Sequence, residues 1–326
     1  MKKIAILSHK PASGGGGSAY LSMVKDALSQ NFQTDNVNLL SGGELPLYLK
    51  LPKAAAGLWK FSRSANYDTV IRSMDYCVLL NKKPIKNIAI VHHIDYSFTP
   101  ALIKFISFFS TPLILRNLRK ADAIVVVSKY WERYLKEKGY SNVYLIYNGF
   151  DADKFNFSAE EIEKFRERHG LLGKPIVYLG NRNKAKGVVE SYAALKDIDA
   201  HLVTSGSPQA EIPAKNLELE YEDYLKLLST SSVVIAMSRF KEGWCRTAHE
   251  AMLLKTPVIG SGTGGMKELL EGGNQVICED FGALREKVEG FLNNEAYRKS
   301  LGEKGHKFAK QFTKERFERE WLKLIQ

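Results

Sequence analysis

One stretch in the second half of the chain reads Val233-Val-Ile-Ala-Met-Ser-Arg-Phe-Lys-Glu-Gly-Trp-Cys-Arg-Thr-Ala-His-Glu250. Its first four residues are apolar and rich in β-branched side chains, which is typical of a buried parallel strand. From Arg246 to Leu254 the apolar residues recur with the period of a helix. The stretch therefore predicts a strand, a polar loop and a helix, the repeating unit of a parallel α/β sheet.

The same alternation extends along the chain in both directions. In the first half the predicted strands are Ile4–Leu7, Asn36–Leu40, Ile88–Val91, Ala123–Val127 and Val143–Tyr147, with Thr69–Val78 ambiguous. In the second half they are Ile176–Leu179, His201–Thr204, Val233–Ala236, Pro257–Ile259 and Gln275–Cys278. The segment Asp151–Gly173 between them is charged and helical in period. The sequence therefore predicts two doubly wound, Rossmann-like α/β domains, with a ligand cleft between them.

Composition supports an ordinary globular protein. The 326 residues are 44% hydrophobic and 25% charged, which is enough for two domain cores. No apolar run reaches the ~18 residues of a membrane span. The three cysteines are widely spaced and fit neither a disulfide framework nor a metal motif, so a cytoplasmic location is expected.

Positive charge is concentrated in the first half. Residues 1–155 hold 21 Lys and Arg against 11 Asp and Glu, whereas residues 156–326 hold 26 against 25. Such an excess indicates an anionic partner, either phosphate, anionic lipid or nucleic acid, with solubility as the simpler explanation. Because the cations are scattered among apolar residues, no specific nucleic acid is expected.

A glycine run, Ser13-Gly-Gly-Gly-Gly-Ser18, lies between the first predicted strand and helix. Consecutive glycines let backbone amides approach a phosphate at a helix N-terminus. The run also satisfies the dinucleotide fingerprint G-x-G-x-x-A, but Ser41-Gly-Gly43 stands where that fingerprint needs an acidic residue. Nicotinamide or flavin is therefore disfavoured, and a phosphate loop or a turn without a ligand stays open.

Glu242 and Glu250 lie eight positions apart at the start of a predicted helix, and alone they read as two surface glutamates. However, Lys241–Met252 resembles the E-x7-E signature of retaining glycosyltransferases of family 4, which have the GT-B fold. Five further segments resemble that family in the same order along the chain: Ala121–Ser128, Asn148–Phe155, Leu179–Gly187, Thr256–Gly260 and Gly264–Glu268.

The resemblance implies an architecture. It predicts an N-terminal acceptor-binding domain at residues 1–155, completed by a C-terminal helix at 312–326 that returns to it. A nucleotide-sugar donor domain is predicted at residues 156–311.

The resemblance also implies site residues. Arg182 and Lys186 would hold the donor diphosphate, although Arg182 is closer to Lys186 than is usual in the family. Glu242 would contact the donor sugar and Glu250 the ribose. His92, with His93 as second choice, would lie near the reacting carbon. The donor would also be bound by Gly16, Gly17, Ser205, Gly206, Gly264, Gly265 and Met266, with its base near Ser205, Gly206 and the Glu218–Tyr221 stretch.

The implied reaction is hexosyl transfer with retention from a nucleotide-diphosphate sugar, with UDP as the expected base. The cleft region holds no metal-binding Asp-x-Asp motif, so neither a metal nor another cofactor is expected. The alternatives are another GT-B enzyme such as a phosphorylase or nucleotide-sugar epimerase, a basic nucleic-acid-binding protein, and an inactive sugar-nucleotide binder.

Two segments, Leu45–Arg63 and residues 100–120, are apolar, aromatic and edged with cations. They fit either core-facing helices or helices lying on an anionic membrane surface. Membrane docking would suit a lipid-linked or glycolipid acceptor, a peripheral position on the inner face of the membrane and a role in polysaccharide or glycolipid biosynthesis. A small soluble acceptor remains possible.

Overall fold

The computed structural model describes residues 1–7, 16–39, 47–98, 101–207 and 209–326, and for residues 47–51 and 101–103 it describes the backbone alone. Contacts divide these residues into two units, Met1–Gly149 with Lys314–Gln326, and Phe150–Thr313. The chain thus leaves the first unit six residues before the predicted boundary and re-enters it two residues after the predicted return.

The first unit is built on a six-stranded parallel sheet in the order β2-β1-β3-β4-β5-β6. Its strands are β1 (Lys3–Leu7), β2 (Gln33–Val37), β3 (Thr69–Ser73), β4 (Lys86–Val91), β5 (Ala123–Val126) and β6 (Val143–Leu145). Its helices are α1 (Gly16–Ser29), α2 (Leu47–Ser64), α3 (Ala101–Leu118) and α4 (Lys129–Glu137), with a 3-10 turn at Met74–Val78.

The second unit also has a six-stranded parallel sheet, in the order β12-β11-β10-β7-β8-β9. Its strands are β7 (Ile176–Asn181), β8 (His201–Ser205), β9 (Lys215–Leu217), β10 (Val233–Ala236), β11 (Val258–Gly260) and β12 (Val276–Ile277). Its helices are α5 (Ala159–Arg168), α6 (Val188–Leu195), α7 (Tyr221–Thr230), α8 (Arg246–Leu253), α9 (Met266–Gly272), α10 (Leu284–Leu292) and α11 (Glu295–Ala309).

The last helix, α12 (Lys314–Ile325), belongs to the first unit. Its aromatic side chains pack against Tyr20 of α1, with ring centroids 5.2 Å away for Phe317 and 6.3 Å away for Trp321. Tyr20 and Trp321 are fully buried. The apolar face that the sequence shows on this helix is therefore used to cover α1.

The predicted α/β fold with two parallel sheets is confirmed. The ambiguous stretch Thr69–Val78 is the interior strand β3 followed by the 3-10 turn, and two further differences lie at sheet edges. β2 spans Gln33–Val37 rather than Asn36–Leu40, and Leu40 lies outside the described residues. The three-residue strand β9 has no counterpart in the prediction. Both are edge strands with polar residues, so the run of buried apolar side chains that marks a central strand is missing from them.

Helices α2 and α3 cover the same face of the first sheet. Leu58 of α2 packs in a cluster with β1 and β3, Ile114 and Leu118 of α3 pack in a second cluster with β4 and β5, and Val78 contacts both. The two segments for which the sequence leaves a choice between core and surface are therefore both partly core-facing. Within the part of the chain described, no helix is both long and apolar enough to cross a membrane.

A fully buried arginine, Arg72 on β3, is linked to helix α2 through Asn81. Its guanidinium donates to the side-chain oxygens of Asn81 (2.5 Å) and Asn87 (3.0 Å) and to the carbonyl of Leu79 (2.5 Å). Asn81 in turn donates to the Phe61 carbonyl in α2. Burial lowers the pKa of Arg72 to about 10, which leaves it charged near neutral pH.

We expect Arg72→Ala to destabilise the first unit by about 3–5 kcal/mol, because it leaves several buried acceptors unpaired. Arg119→Ala is the matched control, since exposed Arg119 also donates to two carbonyls, those of Lys138 and Gly139. The control should cost less than about 1 kcal/mol. Urea unfolding followed by circular dichroism measures both, and equal losses would contradict a structural role for the buried arginine.

Candidate active site

The order of strands in the second sheet identifies a place for a ligand. From β7 the chain adds β8 and β9 on one side and then returns to add β10, β11 and β12 on the other. In open parallel sheets, ligands bind beyond the carboxyl ends of the strands at such a reversal. Here that point is the pair of loops that follow β7 and β10.

The two loops are held against each other. The loop after β7 forms a 3-10 turn at Lys184–Lys186 and continues through Gly187. A Cβ on Gly187 would lie 2.2 Å from the Met237 carbonyl oxygen just after β10, so only glycine permits this approach. The Arg239 amide also donates to the Ala185 carbonyl at 3.0 Å.

This contact brings together Lys186 and Glu242. The Lys186 Nζ lies 2.5 Å from Glu242 Oε1, and the two side chains are 32% and 8% exposed. The Ser238 hydroxyl donates to the same carboxylate oxygen. Burial alone would lower the pKa of Lys186, but the Glu242 charge outweighs it and raises that pKa. Lys186 is therefore charged near neutral pH.

A third loop, between β11 and α9, fixes the backbone of Glu242. Glu242 and Gly264 form a parallel β-bridge, and the Gly265 amide donates to the Glu242 carbonyl at 2.8 Å. Gly264 has a φ of +64°, and a Cβ there would lie 2.5 Å from the Glu242 carbonyl oxygen. Gly264, Gly265 and the buried Met266 thus lie beside Glu242, as the sequence places them.

The residue before α8 has an unusual backbone. Cys245 is buried and has a φ of +69° without being a glycine, a conformation that costs on the order of 1 kcal/mol or more. It lies between Glu242 and the helix that carries Glu250. Sequence reasoning does not detect this feature, because no local pattern marks a left-handed cysteine.

Glu250 is buried on α8 and holds three hydrogen bonds. Its Oε1 accepts from the Tyr221 hydroxyl and from Arg246 Nη2, each at 3.0 Å. Its Oε2 accepts from the Tyr224 hydroxyl at 3.2 Å. Tyr221, Tyr224 and Arg246 are site residues that the sequence analysis does not single out individually.

His249 anchors α8 on its other side. Trp244 Nε1 donates to His249 Nδ1 at 3.0 Å, so Nε2 carries the proton and donates to the Ala309 carbonyl at 3.1 Å. The imidazole stacks on Phe150 with centroids 4.1 Å apart. Burial lowers its pKa to about 3, so His249 is neutral and its role is to hold the helix.

Arg182 does not join the Lys186–Glu242 pair. Its guanidinium donates to the Ala214 carbonyl and to Thr204 Oγ1, the latter at 3.3 Å. Its amide donates to the Ser205 carbonyl at 3.2 Å. Arg182 thus lies beside Ser205, at the β8–β9 side of the reversal.

Ser205 and Gly206 form the end of β8. The Ser205 hydroxyl is hydrogen-bonded to the Tyr178 hydroxyl at 2.6 Å, and the Gly206 amide donates to the Leu217 carbonyl at 3.0 Å. The segment predicted to contact the base is therefore tied to β9, the short strand that the sequence does not reveal.

His92 lies in the first unit, at the carboxyl end of β4. Its ring is 5.2 Å from that of Tyr20, and a Cβ on Gly17 would lie 3.3 Å from its Cδ2. Burial lowers the pKa of His92 to about 4, so the imidazole is neutral. Gly16 and Gly17 are the first residues of α1, and the rest of the glycine run, up to Gly15, lies outside the described residues.

Outside residues 8–15, 40–46, 99–100 and 208, no group of three or more His, Cys, Asp or Glu side chains is placed to hold a metal ion.

Comparison with protein families matches both halves of the chain. Residues 160–308 match the family described as glycosyl transferases group 1, and residues 26–154 match glycosyltransferase family 4. The two matched ranges correspond to the two units and together leave only short segments unmatched.

Individual relatives and structures agree with these families. An uncharacterized glycosyltransferase of Methanocaldococcus jannaschii is 27% identical over 73% of this chain and 68% of its own length. An N-acetyl-D-galactosaminyltransferase of Campylobacter jejuni is 26% identical over 66% of this chain and 64% of its own length. Its name includes a saccharide linked to PP-undecaprenol. The crystal structure of Anabaena HepE in complex with UDP-glucose superposes with a TM-score of 0.80 at 17% identity, covering 100% of this chain and 99% of HepE.

The crowding at Gly264 predicts a difference between two glycines with similar backbones. Gly264→Ala adds a Cβ against the Glu242 backbone, whereas Gly206, with a φ of +78°, has open space around it. Gly206→Ala should cost about 1 kcal/mol from backbone strain alone, and Gly264→Ala at least about 2 kcal/mol more. Urea unfolding measures both, and equal effects would contradict the close contact at Glu242.

Proposed function

We propose that this chain, which has the GT-B fold, is a retaining hexosyltransferase that takes its sugar from UDP-sugar without a metal ion. The observation that carries the proposal is the Lys186–Glu242 ion pair at the reversal of strand order. A half-buried ammonium at that place can stabilise the negative charge that develops on a departing diphosphate. The carboxylate beside it can accept hydrogen bonds from the hydroxyls of the donor sugar.

The remaining predicted site residues complete the proposed donor site. Glu250 would accept hydrogen bonds from the ribose hydroxyls, and the backbone of Gly264, Gly265 and Met266 would lie next to the sugar or phosphate. Arg182, beside Ser205, would add a second positive charge on the β8 side. UDP is proposed as the nucleotide because the structurally similar HepE was crystallised with UDP-glucose.

In the proposed reaction, the bond between the anomeric carbon and the diphosphate breaks while the acceptor oxygen bonds to the same face. The acceptor proton passes to the departing diphosphate, which is the strongest base on that face. Neutral His92 is the catalytic residue proposed for the first unit. Lys186 and Arg182 supply the positive charge that a metal ion supplies in other transferases.

The donor site is tested by ligand-dependent unfolding with EDTA present. Saturating UDP, at about 100 times its dissociation constant, should add about 2.7 kcal/mol to the unfolding free energy. Lys186→Met should abolish this increase, while Lys184→Met, which removes an exposed lysine of the same turn, should keep most of it.

Transfer itself is measured as UDP release from UDP-sugars with acceptor present, and the anomeric configuration of the product is read by NMR. Glu242→Gln should lower the rate by at least about 100-fold. A product with inverted configuration, or a rate restored only by added Mg²⁺, would contradict the retaining, metal-free reaction.

The acceptor is proposed to be lipid-linked and reached at an anionic membrane surface. On α3 the exposed residues Phe105, Phe108, Phe109, Pro112 and Arg116 recur at helical spacing, and the three phenylalanines are 64–74% exposed. An apolar helix face turned outward in this way suits insertion between lipid headgroups.

The charge around that helix face favours an anionic bilayer as the surface that the face would contact. The residue ranges 47–64 and 101–120 hold eight Lys and Arg and no Asp or Glu. Exposed Trp59 on α2 carries Arg63 over its ring at 4.0 Å, a pair suited to the headgroup region. The first unit as a whole has 24 basic against 12 acidic residues. The Campylobacter relative, named for a PP-undecaprenol saccharide, supports the same class of acceptor.

We expect the protein to co-sediment with vesicles containing about a third phosphatidylglycerol and to bind pure phosphatidylcholine poorly. Replacing Phe105, Phe108 and Phe109 together with Ser should weaken binding at least about tenfold, because three apolar rings no longer leave water. Leu172→Ser, at an exposed apolar residue of the second unit, is the control and should bind as the parent does. Equal binding by the triple variant would exclude α3 as the docking helix.

A further inference from the structure

The carboxylate of Glu250 is already occupied in the protein on its own. A carboxylate offers about four acceptor positions. Three are filled by Tyr221, Arg246 and Tyr224 at 3.0–3.2 Å. A ribose diol that donates from both hydroxyls needs two positions, so one protein donor has to leave before the diol can bind fully.

The three donors are not equally held. Arg246 lies over the Phe150 ring at 4.8 Å with its side chain 17% exposed. The Tyr224 hydroxyl also contacts Thr247 Oγ1 at 3.2 Å, and its ring lies edge-on to that of buried Tyr178. Both are fixed by contacts on more than one side.

Tyr221 is the most exposed of the three donors, although its ring also stacks on that of Tyr224 with centroids 6.1 Å apart. It is the first residue of α7 and is 46% exposed, yet its hydroxyl reaches Glu250. Burial and the Glu250 charge raise its pKa, so the hydroxyl keeps its proton and remains a donor. A side-chain rotation at the start of the helix would carry this ring into solvent without moving the packed core.

We propose that the Tyr221 hydroxyl stands in for a ribose hydroxyl: it occupies Glu250 in the free protein and is displaced when the donor nucleotide binds. The inference rests on the proposed function in one respect, namely that Glu250 accepts hydrogen bonds from the ribose hydroxyls. It makes Tyr221 a specificity-determining residue, because only a ligand with ribose hydroxyls can replace the hydrogen bond that Tyr221 gives up.

With competition of this kind, the apparent association constant equals the intrinsic one multiplied by the fraction of molecules in which Glu250 is free of Tyr221. Removing the competing hydroxyl should therefore tighten the binding of a ribonucleotide. It should do nothing for a nucleotide that lacks both ribose hydroxyls, since that ligand cannot use the vacated acceptor.

The experiment measures dissociation constants by isothermal titration calorimetry for UDP and 2′,3′-dideoxy-UDP. Tyr221→Phe keeps the ring and removes only the hydroxyl. We expect it to bind UDP roughly 3- to 10-fold more tightly than the parent, and to bind the dideoxy analogue equally well. Tyr297→Phe is the matched control: it removes a hydroxyl from an equally exposed tyrosine on α11 that does not contact Glu250, and it should leave UDP binding unchanged.

Three results would overturn the inference. Weaker UDP binding by Tyr221→Phe would mean that the hydroxyl contacts the donor directly. Unchanged UDP binding would mean that there is no competition. Equal tightening for UDP and the dideoxy analogue would mean that the hydroxyl blocks entry and not the ribose contact.

Failure of the proposed function is distinguishable from these results. If the parent protein binds none of UDP, GDP and ADP, the donor site itself is wrong and the inference falls with it. If GDP or ADP binds in place of UDP, the same comparison is made with that diphosphate and its dideoxy form. If one diphosphate binds and the Tyr221 variant behaves otherwise than expected, only the inference fails.

Discussion

The ion pair between Lys186 and Glu242 is the contact on which the rest of the second unit depends. Two charges removed from water are expensive unless each is neutralised by the other and by hydrogen bonds. Here Ser238 and the Gly264 bridge hold the carboxylate, while the turn that carries Lys186 is pressed against β10 at Gly187. A donor that enters such a site meets an ammonium and a carboxylate whose positions are already set, so little reorganisation opposes the reaction.

The two units differ in the balance and the exposure of their charged residues. The second has 23 basic and 24 acidic residues, and its functional charges are few, buried and paired. The first has twice as many basic as acidic residues, and α2 and α3 expose theirs beside aromatic rings. Buried pairs give geometric precision for one small ligand, whereas a spread positive surface attracts an extended anionic one. The charge distribution is thus the one that the proposed compact donor and the proposed membrane-bound acceptor would require.

Sequence reasoning finds what continuous patterns encode. Central strands such as β5 and β10 are unbroken apolar runs and were predictable. Of the polar edge strands, β2 was predicted three residues too late in the chain and β9 was not predicted at all. The neighbourhood of Lys186, Glu242 and Gly264 follows from three motifs, although the roles of these residues stay predictions. The position of Arg182 depends on β9, and the Tyr221 contact joins residues 29 positions apart. Both are consequences of tertiary packing that no local spacing records.

Helix α8 connects Glu250 to the ends of the second unit. That unit begins at Phe150 and ends at Thr313, and these two residues form a β-bridge. His249 stacks on Phe150, and the Arg246 guanidinium lies over the same ring at 4.8 Å. Arg246 also donates to Glu250, so one arginine side chain links that carboxylate with Phe150. The carboxylate proposed to bind the ribose is therefore two contacts from the point where the chain enters and leaves its unit.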